Sequence, residues 1–79
     1  MYLIIEFQTN EGQMTILPAI PKETREEAES VYHSILSFAA VSSVEIHGAF
    51  VLNEEGREVL WQAYHHEPSP EPNEEVSEE

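Results

Sequence analysis

At 79 residues the chain has room for one domain, and a domain this small buries only about 60% of the surface its unfolded chain exposes. Cysteine is absent, so disulfides cannot supply the missing stability, and oligomerisation is the first alternative. The formal net charge is −13, from sixteen Glu against Lys22, Arg25 and Arg57; this argues against direct nucleic-acid binding, which needs basic residues to displace counterions, and against anionic membrane surfaces.

The N-terminal Met1-Tyr2-Leu3-Ile4-Ile5-Glu6 has no basic segment before its apolar residues, so it does not read as a signal peptide. No apolar run approaches the ~20 residues of a membrane span. The expectation is a cytoplasmic protein.

Residues 2–8 are rich in strand formers, with Leu3, Ile5 and Phe7 on one face and Tyr2, Ile4 and Glu6 on the other. Thr9-Asn10-Glu11-Gly12 is turn chemistry. Residues 13–17 resume a strand with Met14 and Ile16 on one face, which completes a hairpin. Pro18 and Pro21 end it and mark an edge, because proline cannot donate to a ladder.

Thr24-Arg25-Glu26-Glu27 has the form of a capping box and predicts a helix from Thr24 to about Ala40. Ala28, Val31, Tyr32, Ile35, Leu36 and Ala39 recur at helical spacing and form one apolar stripe. Ser42-Ser43 is the exit.

Residues 44–53 alternate as a long strand, with Gly48 in its interior marking a bulge or close helix–sheet packing under Tyr32. Asn53-Glu54-Glu55-Gly56 predicts a type I turn with Gly56 at a bulge. Residues 58–64 return as the last strand. The fold class is α+β: a ββαββ domain over 1–64, its four-stranded antiparallel sheet in order 2-1-3-4, with one helix on one face. Residues 65–79 hold six of the Glu, three prolines and no Lys or Arg. They read as a disordered acidic tail, because such a composition cannot offset its ordering entropy.

The face expected under the helix carries Leu3, Ile5, Phe7, Met14, Ile16, Ile46, Phe50, Leu52, Val59 and Trp61. The other face is only partly polar. Tyr2, Ile4, Leu17, Val51 and Leu60 are expected there as an interaction face for a second copy of the chain or another protein.

Chemistry-bearing patterns are sparse. None of His33, His47, His65 and His66 stands four residues from another His, and His65 and His66 diverge on an extended chain, so no metal site is expected. Gly12, Gly48 and Gly56 are too scattered for a phosphate loop. Glu6 and Glu45 could approach one another if their strands pair, and a site at His47 and Glu45 is the only enzymatic reading. No catalytic residue, cofactor or metal is assigned on these grounds. The expectation is a non-enzymatic interaction or self-association module. The alternative is an acidic inhibitor that mimics nucleic-acid charge on a basic partner, using Glu54, Glu55, Glu58 and the tail.

Ala28-Glu29-Ser30, Tyr32-His33, Ile35-Leu36, residues 39–44, His47-Gly48-Ala49 and residues 52–56 together resemble a group of small uncharacterised proteins of gut Firmicutes and their prophages. The resemblance spans most of residues 1–64. It implies a phage-associated context and no site residues, because no activity is established for that group.

Overall fold

The computed structural model describes residues 1–66. In chain order its elements are β1 (Tyr2–Asn10), β2 (Gln13–Ile16), β3 (Ile20–Lys22), α1 (Arg25–Ala39), β4 (Ile46–Leu52) and β5 (Glu58–His65). The protein is α+β, with one helix and one five-stranded sheet among the described residues. The sheet path is β2-β1-β4-β5, and β3 also pairs with β1. The expected four-stranded layout differs in detail by this extra strand. Leu3 faces Pro21 in the β1–β3 ladder. Proline is tolerated there because β3 lies at an edge, where the missing N–H is not needed.

All the strand pairs are antiparallel. β3 and β4 are therefore parallel to one another with β1 between them, and α1 is the crossover that joins them. That connection places the helix over β1 and β4, the strands it contacts most. Thr24 caps it: the Thr24 hydroxyl accepts from the Glu27 amide at 3.2 Å, satisfying one of the orphan donors of the first turn. The reciprocal bond from the Glu27 carboxylate is not formed among the described residues.

Both hairpin turns follow their sequence chemistry. Glu11 and Gly12 take φ of 52° and 81°, both positive, as the right-handed twist of a two-residue hairpin demands. Gly56 also has φ of 81°, and the Asn53 side-chain oxygen accepts from the Glu55 and Arg57 amides at 2.9 and 3.0 Å. The register slips between Val51 and Leu52, opposite the start of β5.

The helix covers the face opposite to the one expected. Ala28 and Tyr32 pack with Ile4, Ala49 and Val51, flanked by Tyr2, Val31, Ile35, Leu36 and Leu60 and by Val59, the one residue of the expected set that lies there. Strand alternation sorts residues into two sets but does not say which set the helix takes. The close packing expected between Gly48 and Tyr32 is corrected in the same way. A Cβ at Gly48 would stand 2.8 Å from Phe7 Cζ, on the helix-free face, and would also collide with the Gln62 carbonyl.

The last strand ends beside the expected boundary between domain and tail. β5 continues to His65, and the His66 amide donates to the Glu45 carbonyl at 2.6 Å. The expected tail lies, from residue 67 onward, outside the described residues.

Candidate functional site

The residues expected at an open interaction face are largely the core. Ile4 and Val51 are 0% and 1% exposed, and Tyr2 and Leu60 pack against them. Leu17 is half-buried, its amide donating to the Glu6 carbonyl at 3.0 Å. None of the five forms an exposed contact surface.

The open face is built instead from the other alternation set. Ile5, Phe50 and Trp61 form one cross-strand row, Leu3 and Leu52 a second, and Ile16, Phe7, Gly48 and Ala63 a third. Met14, Thr9, Ile46 and His65 follow as the fourth. Glu58, opposite Leu52 at the end of the second row, is the one Glu, Lys or Arg in these rows. Trp61 is 55% exposed, Ile16 55% and Met14 63%. The rings of Phe7 and Phe50 lie 6.1 Å apart between centroids, within the range of favourable aromatic pairs. Phe7 is the one large side chain of this face that is itself buried, because it lies down over Gly48.

A soluble domain normally turns its more apolar sheet face to the helix and its more polar one to water. Here the helix-covered face carries Glu6, Gln8, His47, Gln62 and Tyr64 beside its apolar centre, and among the described residues no element covers the aromatic-rich face. The core beneath the helix is correspondingly slight: Ile4 and Val51 are the large side chains fully buried in it.

At one end of the helix-covered face a polar chain runs inward. His47 is 5% exposed. Its Nε2 lies 2.6 Å from Glu6 Oε2, and its Nδ1 lies 2.9 Å from the Ser42 hydroxyl. With the ring proton on Nε2, His47 donates to the Glu6 carboxylate and accepts from Ser42. Both ring nitrogens are then satisfied, as burial requires. Ser42 in turn accepts from the Val44 amide at 3.3 Å. The order carboxylate, imidazole, hydroxyl is that of a nucleophile relay. The neighbouring cleft, however, is lined by Glu6 and not by His47 or Ser42. The network thus ties the helix exit to the sheet and fixes the Glu6 carboxylate.

The suggested pairing of Glu45 with His47 or Glu6 is not made. The Glu45 carboxylate accepts from the Glu11 amide at 2.8 Å, and its own amide donates to Asn10 Oδ1 at 3.0 Å; Glu45 braces the first hairpin turn. The other histidines are scattered. His33 and His65 are exposed, while His66 Nε2 donates to the Ala39 carbonyl at 2.7 Å. Among the described residues no group of three or more His, Asp or Glu side chains is placed to hold a metal ion.

A cleft of about 450 Å³ at the helix start is lined by Met1, Glu23, Thr24, Arg25, Glu54 and their neighbours. Of its three carboxylates, Glu23, Glu54 and Glu55, Glu54 is engaged by the Met1 ammonium, 2.7 Å away, which holds it below the usual carboxylate range.

Glu6–His47 was findable from sequence. Gln8 and His47 are direct cross-strand partners and Glu6 faces Ala49, so Glu6 and His47 are diagonal neighbours on one face once the ladder is drawn. Ser42 carries no such signal, because it lies in an irregular exit from the helix.

Comparison with protein-family models, curated proteins and solved structures gives no match.

Proposed function

We propose that the protein is a self-associating, non-enzymatic module whose two copies pack their helix-free sheet faces together. The observation that carries this is the imbalance between the two faces. The covered face fully buries Ile4 and Val51 as its large side chains, while Trp61, Ile16 and Met14 stand more than half exposed on the other. Stacking two such sheets about 10 Å apart makes a shared core from Leu3, Ile5, Phe50, Leu52 and Trp61. Burial of this kind is what a domain of this size lacks when alone.

A second copy fits this face better than a charged partner does. The one carboxylate of this face, Glu58, stands at the end of the sheet opposite Leu52, so association costs no desolvation of charge at the centre of the face. A twofold contact uses the same patch on both copies, and a face whose central rows are uncharged is complementary to itself.

Sedimentation velocity over a hundredfold concentration range tests the proposal. The chain mass is 9.0 kDa, and the expected species at high concentration has twice that mass. Trp61→Glu places a charge at the centre of the contact and is expected to give a folded monomer at every concentration. A wild-type protein that stays monomeric throughout overturns the reading.

A further inference from the structure

On the helix side of the sheet, away from the proposed contact, Glu6, Ser30, Val31, Ser34, Ile35 and Phe38 line a cleft of about 360 Å³. That volume lies within the range of small-ligand sites. One wall is apolar, from Val31, Ile35 and Phe38; the polar groups are the Glu6 carboxylate and two hydroxyls. Glu6 is three-quarters buried, with 23% of its side chain exposed. Its Oε2 is held by His47, which is held by Ser42. Among the described residues no hydrogen-bond donor reaches its Oε1.

We infer that this cleft binds a small organic monocation, a primary ammonium carrying one aromatic or short alkyl group. The ammonium has donors for Glu6 Oε1 and for the Ser30 and Ser34 hydroxyls. The apolar group lies along Val31, Ile35 and Phe38, whose ring is 71% exposed and open to contact with either the cation or its apolar body. A carboxylate whose position is fixed before binding loses little entropy when it captures a cation. The net charge of −13 raises the local concentration of cations and disfavours anions of the same shape. Glu6, His47 and Ser42 thereby act as one device, in which the buried imidazole aims the carboxylate at the cleft.

The test is a nitrogen–proton correlation NMR titration of the full chain with benzylammonium, using benzyl alcohol and benzoate as neutral and anionic counterparts at constant ionic strength. Saturable shifts are expected at the amides of Ser30, Val31, Ser34, Ile35 and Phe38, with benzylammonium at least tenfold tighter than benzyl alcohol and benzoate silent. Glu6→Gln is expected to weaken benzylammonium binding at least tenfold. Ser34→Leu changes an exposed residue that the fold does not need and fills the cleft; it is expected to abolish the shifts while leaving the unfolding midpoint unchanged. Equal binding of the amine and the alcohol overturns the assignment, as does retention of binding in folded Ser34→Leu or the absence of saturation in the millimolar range. The cleft lies on the opposite side of the sheet from the proposed dimer contact, so the two readings fail independently.

Discussion

The Phe7 ring lies directly over Gly48: a Cβ added at Gly48 would stand 2.8 Å from Phe7 Cζ and 2.8 Å from Ala63 Cα. The aromatic ring can move, but the Ala63 backbone in the neighbouring strand cannot without breaking its ladder. Gly48→Ala is therefore expected to lower stability by about 2–3 kcal/mol, at the upper end of overpacking costs. Urea unfolding at fixed protein concentration measures it. The cost of Gly48→Ala measured in a Phe7→Ala background should be only partly reduced, because the backbone clash remains; its disappearance there would show that the ring alone sets the constraint.

Salt separates the proposed dimer from an acidic charge mimic. Two copies each carrying a net charge of −13 repel one another, while the central rows that would touch carry no Glu, Lys or Arg. Screening weakens that repulsion, since the Debye length shrinks from about 10 Å at 0.1 M to 3 Å at 1 M. The dimer is expected to tighten between 50 mM and 1 M sodium chloride. Weighing the dissociation constant by sedimentation at both concentrations checks the sign; a dimer that dissociates as salt rises would place ionic contacts at the interface.

Much of this fold was legible from local chemistry, and the reasons differ from element to element. The helix could be read because Thr24 and Glu27 mark its start and the apolar stripe from Ala28 to Ala39 gives its period. The turns could be read because Gly12 and Gly56 are needed at positive φ. β3 was missed because Pro18 and Pro21 read as terminators, although proline fits an outer strand whose N–H groups point away from the ladder. The face assignment was inverted because both alternation sets are apolar at their centres. Nothing local distinguishes Ile4, Ala49 and Val51 from Ile5, Phe50 and Trp61 as the helix's partner. That an apolar sheet face is left bare was nevertheless readable, since one helix can cover only one side. Glu6 and His47 come together once the β1–β4 pairing is drawn, whereas Ser42, in the irregular exit from the helix, carries no such signal.

Ser42 holds the inner end of that chain. Ser42→Ala removes the hydroxyl from His47 Nδ1, 2.9 Å away, and leaves a buried ring nitrogen without a protein partner. It also strips the Val44 amide of its acceptor. The expected loss is about 1–3 kcal/mol, the cost of an unsatisfied buried polar group. Thermal or urea unfolding measures it. Ser42→Thr retains the hydroxyl and is expected to restore most of the stability; if it does not, packing rather than hydrogen bonding is what Ser42 supplies.

Glu11 is strained in the opposite sense. It is the non-glycine residue with positive φ, 52°, at the first central position of a turn that favours Asn or Gly there. Its amide contact with Glu45 uses the backbone and survives substitution. Glu11→Asn is therefore expected to stabilise the protein by about 0.5–1 kcal/mol, read as a rise in the urea midpoint with an unchanged slope. A neutral or negative change would mean that the Glu11 side chain contributes a contact of its own.

Tyr32 predicts the alkaline limb of stability. It is 5% exposed in the core beneath the helix. Burial raises its phenol above the ordinary value of 10.0, and the negative charges that Tyr64 and Glu58 carry add to that shift. Below pH 10 the phenol is neutral in both folded and unfolded chains, and its contribution is fully present. Above pH 10 the unfolded chain releases the proton while the folded chain retains it, so stability falls as pH rises towards the folded value. Tyr32→Phe keeps the ring and removes the titrating group. Tyr2 and Tyr64 are common to both proteins, so the stability difference between wild type and Tyr32→Phe isolates this residue. That difference is expected to be constant up to about pH 9 and to turn against the wild type between about pH 10 and 11, where urea unfolding of the two proteins should diverge. Parallel curves through this interval would mean that Tyr32 ionises equally easily in both states and is reached by water despite its place in the core.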